Sequence, residues 1–345
     1  MKIVYNPGHA AHDPKHFLVS GALQRSPEIP ARAEALRQAA AGAGHEVVEA
    51  PDCGLAPIAA VHTSEYLLFL ERIYERWRRI EGASEEVIPN VHPVTRGAAT
   101  MAAGYPDSAV GQAGYHMADT ACPIGPGTWQ AARGSAACAV EAARLVADGA
   151  ASAYALCRPP GHHAFADLAG GFCFLNNCAI AAQWFAGQGR RVAILDVDVH
   201  HGNGTQGIFY RRGDVLTVSL HADPIRFYPF FWGHAAERGE GPGLGANLNL
   251  PLARGTADDG YMLALERALA RIRSFAPDCL VVALGLDAFE GDPLAGLAIT
   301  TPGFGRLGEA IGRLGLPSVL VQEGGYPSDA LGANLVSFLT GFGSA

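Results

Sequence analysis

No apolar run in this 345-residue chain approaches the roughly 20 residues needed to cross a bilayer, so a membrane-spanning protein is excluded as an expectation. The opening residues, Met1–Pro7, lack the apolar core of a signal peptide. Basic residues are too few for a nucleic-acid footprint: Lys and Arg number 25 against 33 Asp and Glu, a net charge of −8. That balance suits a soluble protein and a cationic small-molecule partner. Charged residues are only 17% of the chain and apolar residues 49%, the reverse of a disordered composition. The seven cysteines are odd in number and form no C-x-x-C pair, which points to reduced thiols packed as small apolar groups, Cys173 and Cys178 among them, and to a cytoplasmic setting. Internal repeats and low-complexity tails are also missing.

Glycine (43) and proline (22) are abundant, so much of the chain is expected in turns and loops. Helical spacing appears over 31–43, 64–80 with Ser64 as candidate N-cap, 129–148, 176–188, 259–275 and 304–314. Residues 81–128 lose periodicity and carry five prolines, and a long aperiodic stretch in a compact domain is usually functional. Between the helices lie short apolar runs at 153–157, 191–195, 215–220, 279–284 and 318–321. Runs without alternation are expected to be strands buried on both faces, hence an α/β fold with a mostly parallel, multi-stranded sheet and helices on both faces.

The polar residues follow those runs. Arg158–His163, Asp196–Gly204, His221, Asp287 and Glu323–Tyr326 each come just after a strand candidate, and sites in open α/β sheets form outside the carboxyl ends of strands. Asp198 and His200, two apart on an extended segment, face the same way. With Asp287 they offer two carboxylates and an imidazole, a donor set that suits a catalytic Zn²⁺, or Fe²⁺, with an open position. His162 and His163 can divide the proton transfers of a hydrolysis. Tyr326, behind Gly324 and Gly325, can reach a carbonyl oxygen. His9, His12 and His16 read as loop residues with no tie to a site.

Four motifs carry a resemblance: Arg158-Pro-Pro-Gly-His-His-Ala164, Gly171-Phe-Cys-Phe-Leu-Asn-Asn177, Asp196-Val-Asp-Val-His-His-Gly-Asn-Gly-Thr205 and Glu323-Gly-Gly-Tyr326. In this order they resemble the arginase–deacetylase superfamily, specifically its class II-like zinc deacetylases. Length and local wording, as in Gly204–Tyr210 and Ser219–Pro224, are nearest to the bacterial acetylpolyamine amidohydrolase branch. The resemblance implies one deacetylase domain over 1–345 with a loop insertion at about 81–128. It implies Zn²⁺ on Asp198, His200 and Asp287, and a catalytic set of His162, His163 and Tyr326. Asp196 would pair with His162 and Asn203 with His163. A structural K⁺ would sit on Asp196, Ser219 and the carbonyls of Asp198, His200 and Leu220. Phe172 and Tyr228 would line a substrate tunnel, with Cys173 beside it and Arg32 deeper.

The branch uses acidic residues in the insertion to bind a distal ammonium, but Val110 and Ala121 stand at the matching positions. Asp107 and Asp119 are the nearest carboxylates and are the candidates instead. The implied activity is removal of acetyl groups from small acetylpolyamines or acetylated diamines, by a cytoplasmic homodimer built with the 81–128 arm. Acetyl-lysine in peptides or proteins is the alternative substrate. A ureohydrolase and a non-catalytic binding protein are the other readings of the fold, but the first needs a second metal and the second should have lost a ligand or the tyrosine.

Overall fold

The computed structural model describes residues 1–94, 96 and 104–345. The strands, in chain order, are β1 Lys2–Tyr5, β2 His16–Val19, β3 Ala22–Arg25, β4 Glu46–Glu49, β5 Ser152–Ala155, β6 Val192–Asp196, β7 Val215–Ala222, β8 Asn247–Leu252, β9 Cys279–Leu284 and β10 Ser318–Gln322. Eight of them form one sheet in the order β4-β1-β5-β10-β9-β6-β7-β8, while β2 and β3 form a separate hairpin. Every pairing in the large sheet is parallel. The five runs read from the sequence are the five adjacent central strands, β5, β10, β9, β6 and β7, so their polar sequels all open at one edge of the sheet.

Their lack of alternation has a direct cause. On β9, Leu280, Val282 and Leu284 enter one core, while Cys279, Val281 and Ala283 enter the other. The first core is closed by α1 (Pro30–Gly42), α8 (Asp258–Phe275), α9 (Thr301–Gly312) and α10 (Leu331–Gly343). The second is closed by α5 (Thr128–Ala147), α6 (Asn177–Ala186) and α7 (Asn203–Phe209). Burying each such side chain contributes about 1.5–3 kcal/mol, so both faces of these strands favour apolar residues.

A third apolar cluster joins α2 (Ala56–Ala59), α3 (Ser64–Trp77) and α4 (Ala109–His116) to the outer side of α5. On α3 the buried residues Tyr66, Leu67, Leu70, Ile73 and Trp77 follow helical spacing. Its N-cap is Thr63, not Ser64: the Thr63 hydroxyl accepts from the Tyr66 amide at 3.3 Å. The segment 81–128 is not wholly irregular either, since α4 lies within it, capped by Ser108. Eight residues give too few turns for a period to show. Residues 95 and 97–103 of this arm lie outside the described residues. No helix among the described residues is long and apolar enough to cross a membrane.

His9 lies in a short 3-10 helix, Pro7–Ala11, and His12 in the loop after it. Both are buried beside a fully buried ion cluster in which Glu28 bonds Arg158 at 2.8 Å and Arg32 at 3.1 Å. Burial alone would push the Glu28 carboxyl toward its neutral form, but Arg158 and Arg32 outweigh it and hold the group below the usual carboxylate range. Arg158 also donates to the His9 carbonyl at 2.7 Å, and His12 Nδ1 meets the Thr128 hydroxyl at 2.9 Å. The cluster fastens the N-terminal segment beneath the loops that follow β5 and β10. His16 is exposed on β2.

Glu28→Gln keeps the shape but leaves two buried guanidinium groups without their counter-charge. A stability loss of about 3–5 kcal/mol is expected, read as a lowered urea midpoint. An unchanged midpoint would contradict the anchoring role of this cluster.

Candidate active site

Asp196 ends β6, and the chain bends at once through 197–200 instead of running on extended. The His200 amide donates to Asp198 Oδ1 at 2.8 Å, so a turn closed by the Asp198 side chain brings Asp198 and His200 together. Asp287 follows the neighbouring strand β9, and its Oδ1 accepts from the Val199 amide at 3.0 Å. His200 Nδ1 then lies 3.1 Å from Asp198 Oδ1 and 3.2 Å from Asp287 Oδ2. The latter contact is not aligned as a hydrogen bond, which leaves Asp287 Oδ2 a buried acceptor without a partner. Potential ligand atoms from Asp198, His200 and Asp287 all lie within 4.8 Å of one another. A buried, unpartnered carboxylate oxygen beside a second carboxylate and an imidazole fits a divalent cation such as Zn²⁺ or Fe²⁺.

The backbone is shaped around these groups. A Cβ at Gly324 would sit 2.0 Å from Asp287 Oδ2 and 2.6 Å from Asp198 Oδ2. Glycine at 324 is therefore a requirement of close approach, and its amide donates to Asp198 Oδ2 at 2.8 Å.

The tandem histidines stand beside the triad. His162 Nδ1 bonds Asp196 Oδ2 at 2.9 Å, and His163 Nδ1 bonds Asn203 Oδ1 at 2.7 Å, the latter from the start of α7. Their ring centroids are 4.0 Å apart. The two environments differ. Burial opposes charge on His162, but Asp198 and Asp196 overcome it and raise its pKa well above the ordinary value. Burial, reinforced by the nearby His162 and His200, pushes His163 well below it. The two imidazoles are thus shifted in opposite directions, an asymmetry that suits paired proton transfers. Asp287 is raised, first by burial and then by the charge of Asp198.

These groups open into a cavity of about 470 Å³, lined among others by Phe17–Ser20, His162, His163, Phe172, His200, Tyr228 and Tyr326. Tyr228 sits edge-on to His163 with centroids 4.9 Å apart. Phe172 lies between Tyr326 and Phe17, its centroid 5.7 Å and 5.4 Å from theirs. Phe172 has φ +68°, a strained conformation of about 1–3 kcal/mol for a bulky side chain. The residue before it, Gly171, could carry no Cβ, because the atom would lie 2.4 Å from the His163 ring. Arg32 is deeper, its guanidinium 5.2 Å from the Tyr326 ring centroid.

Of the two carboxylates considered for a distal ammonium, Asp119 is in the cavity wall and Asp107 is not. Asp119 is half-buried and accepts from the Tyr228 hydroxyl at 2.7 Å, the Ala121 amide at 2.8 Å and the Gly171 amide at 3.1 Å. Asp107 is exposed just before α4, where its carbonyl accepts from Arg76 at 2.5 Å. The expectation for Asp107 is corrected accordingly: the turn that starts α4 carries it away from the cavity. For the K⁺ set, β6–β7 register pairs Asp196 with Ser219, and buried Leu220 follows it.

Three contributors were not assigned roles from the sequence. The hairpin β2–β3 supplies one rim of the cavity, and its turn at Ser20-Gly21 has both φ values positive. Asp292 accepts from the Tyr326 amide at 2.9 Å and so fixes that residue's backbone. Burial and the nearby Asp287 raise its carboxyl to about 7. Glu323 is the third. With His162 and Cys173 it forms a second cluster of potential ligands, but those groups are already engaged: His162 with Asp196, the Cys173 thiol with the Gly171 carbonyl at 3.4 Å, and Glu323 with backbone amides.

The fold and this strand-end site are those of a hydrolase with a candidate metal site, and the chain belongs to the histone deacetylase family. The histone deacetylase domain profile matches residues 26–342. Among similar proteins, an acetylpolyamine amidohydrolase of Burkholderia pseudomallei is 47% identical over 345 residues, covering all of this chain and 99% of that one. Acetylpolyamine amidohydrolase 1 of Pseudomonas aeruginosa is also 47% identical, over 348 residues, covering 100% of this chain and 99% of that one. The crystal structure of an acetylpolyamine aminohydrolase from Burkholderia pseudomallei superposes with a TM-score of 0.96 at 47% identity, covering 100% of this chain and 99% of that one.

Asp287→Ala removes one of three ligand candidates and the partnerless oxygen. Its affinity for Zn²⁺, measured by calorimetric titration of chelator-treated protein, is expected to fall about 100-fold or more. Wild-type affinity in the variant would remove Asp287 from the site.

Proposed function

We propose that this chain removes acetyl groups from small acetylated amines, acetylpolyamines or acetylated diamines, with a divalent metal, Zn²⁺ or Fe²⁺, held by Asp198, His200 and Asp287. The observation that carries the reading is that the tandem histidines, Tyr326 and His200 line one cavity, with Asp198 and Asp287 buried within ligand distance of His200. The names of the full-length relatives support the substrate class.

When bound, the metal supplies Lewis-acid polarisation of the amide carbonyl and makes a nearby water a better nucleophile. His163, oriented by Asn203, takes a proton from the attacking water and later delivers it to the leaving amine nitrogen. His162, bonded to Asp196, tunes the electrostatics beside the reacting carbonyl. The Tyr326 hydroxyl donates to the carbonyl oxygen as that oxygen becomes anionic. An O–C bond forms, the C–N bond breaks, and acetate and the free amine leave.

The aromatic walls, Phe172 and Tyr228, grip the thin methylene chain of an acetylated amine and exclude bulk water. Asp119 places a fixed negative charge on the wall, the sign required for a distal ammonium. A structural K⁺ on Asp196, Ser219 and the carbonyls of Asp198, His200 and Leu220 completes the cofactor set. The arm at 81–128 narrows the mouth and supports a homodimer in the cytoplasm. The domain occupies the whole of 1–345.

Tyr326→Phe is expected to keep metal and fold while kcat falls about 10²–10³-fold, since the lost hydroxyl acts mainly in the transition state. A kcat within about threefold of wild type would remove Tyr326 from catalysis.

Substrate class is tested by acetate release from N-acetylputrescine, an acetyl-lysine peptide and an intact acetylated protein. The small amine is expected to have the highest kcat/KM. Equal rates on the intact protein would overturn the small-amine reading. Asp119→Asn should raise KM for acetylputrescine modestly and spare kcat, because a half-exposed charge pair contributes only about 0–1 kcal/mol.

A further inference from the structure

Glu323 is a fully buried carboxylate behind the tandem histidines, and the hydrolysis set out above makes no use of it. Its Oε2 accepts from two consecutive backbone amides, Gly161 at 2.7 Å and His162 at 3.0 Å. Its Oε1 accepts from the Cys178 thiol at 3.3 Å. Those amides belong to the turn that follows β5, whereas Glu323 follows β10, the neighbouring strand. The start of that turn is tied elsewhere, with the Pro159 carbonyl accepting from the Ser135 hydroxyl at 2.8 Å and the Asn177 amide group at 3.2 Å. Its far end, where the imidazoles begin, is held by Glu323.

The segment bearing Glu323 is itself fixed. Arg32 donates to the carbonyls of Glu323 and Gly325, and the Gly324 amide donates to Asp198. Tyr326 comes three residues after Glu323. One segment therefore meets the histidine turn through a side chain, a ligand candidate through a backbone amide, and the cavity through the Tyr326 side chain.

We propose that Glu323 is a positioning residue whose carboxylate oxygen, by accepting from the Gly161 and His162 amides, sets the tandem histidines against Tyr326. The inference rests on the deacetylase reading. What matters is the reach and placement of the acceptor oxygen. Glutamine preserves both: its amide oxygen can take the place of Oε2, and its NH₂ group can face the Cys178 sulfur. Aspartate keeps the charge but is one methylene too short to meet both amides without moving the turn. A displacement of that size at reacting groups typically costs about 10²-fold in rate.

The test compares Glu323→Gln with Glu323→Asp on N-acetylputrescine, with metal content and circular dichroism measured on each. Glu323→Asp is expected to lower kcat about 10²-fold with KM within about threefold, and Glu323→Gln to recover kcat to within about threefold of wild type. The reverse order, with Asp active and Gln impaired, would show that the charge acts directly and overturn the proposal. So would an Asp variant as fast as wild type. If Glu323→Asp does not fold, Glu323→Gln decides alone: a loss of about 10-fold or more overturns the role, and recovery supports it. A wild-type enzyme that releases no acetate from any acetylated amine would instead overturn the deacetylase reading itself.

Discussion

Asp196, Asp198 and Asp287 are brought out of water at the ends of two paired strands, close enough to repel one another. Burial and like charge both oppose their ionisation, and that conflict shapes everything around them. His162 and His200 answer it within the chain: each is raised above its ordinary pKa against the effect of its own burial, His200 to about 9, because Asp196, Asp198 and Asp287 surround them. A divalent cation would answer it more completely, since Asp287 Oδ2 still lacks a hydrogen-bond partner. The crowding also reaches the backbone. Gly285 and Gly324 lie where any Cβ would strike Asp198, or Asp287 as well.

A second layer of buried charge holds the site's loops. Glu28, Arg32 and Arg158 share one ion cluster, and from it Arg32 reaches the carbonyls on either side of Gly324. Asp292 holds the Tyr326 amide, and Glu323 holds those of Gly161 and His162. Loops gain precision here from ionised or strongly hydrogen-bonding side chains that water cannot reach, where each bond is stronger than it would be at the surface. The strain at Phe172 belongs to the same frame: the closely packed His163 and Tyr326 hold the loop in a conformation it would not choose alone.

The central sheet was legible because β5, β6, β7, β9 and β10 are buried on both faces, and unbroken apolar runs are the residue pattern of that environment. The outer strands were not. β4 is a short Glu-Val-Val-Glu edge, and β8 alternates asparagine with leucine because Asn247 and Asn249 join a buried polar network with Gln206. α10 lies outside the helical spacing read from the sequence, and its Gly341 records close packing, since a Cβ there would strike the Gly305 carbonyl of α9. Local motifs revealed the polar groups at the strand ends. They could not reveal the Glu28 cluster, whose partners lie up to 130 positions apart in the chain. Nor could they separate Asp119 from Asp107, since the intervening α4 decides which of them meets the cavity.

If a single divalent cation completes this carboxylate cluster, hydrolysis depends on it. Chelator-treated protein titrated with Zn²⁺, with heat and acetate release from N-acetylputrescine followed together, tests it most directly. Saturation is expected at one high-affinity cation per chain, with acetate release rising in step from a negligible starting rate. Full acetate release by the metal-free protein, unchanged by added Zn²⁺ or Fe²⁺, would contradict it.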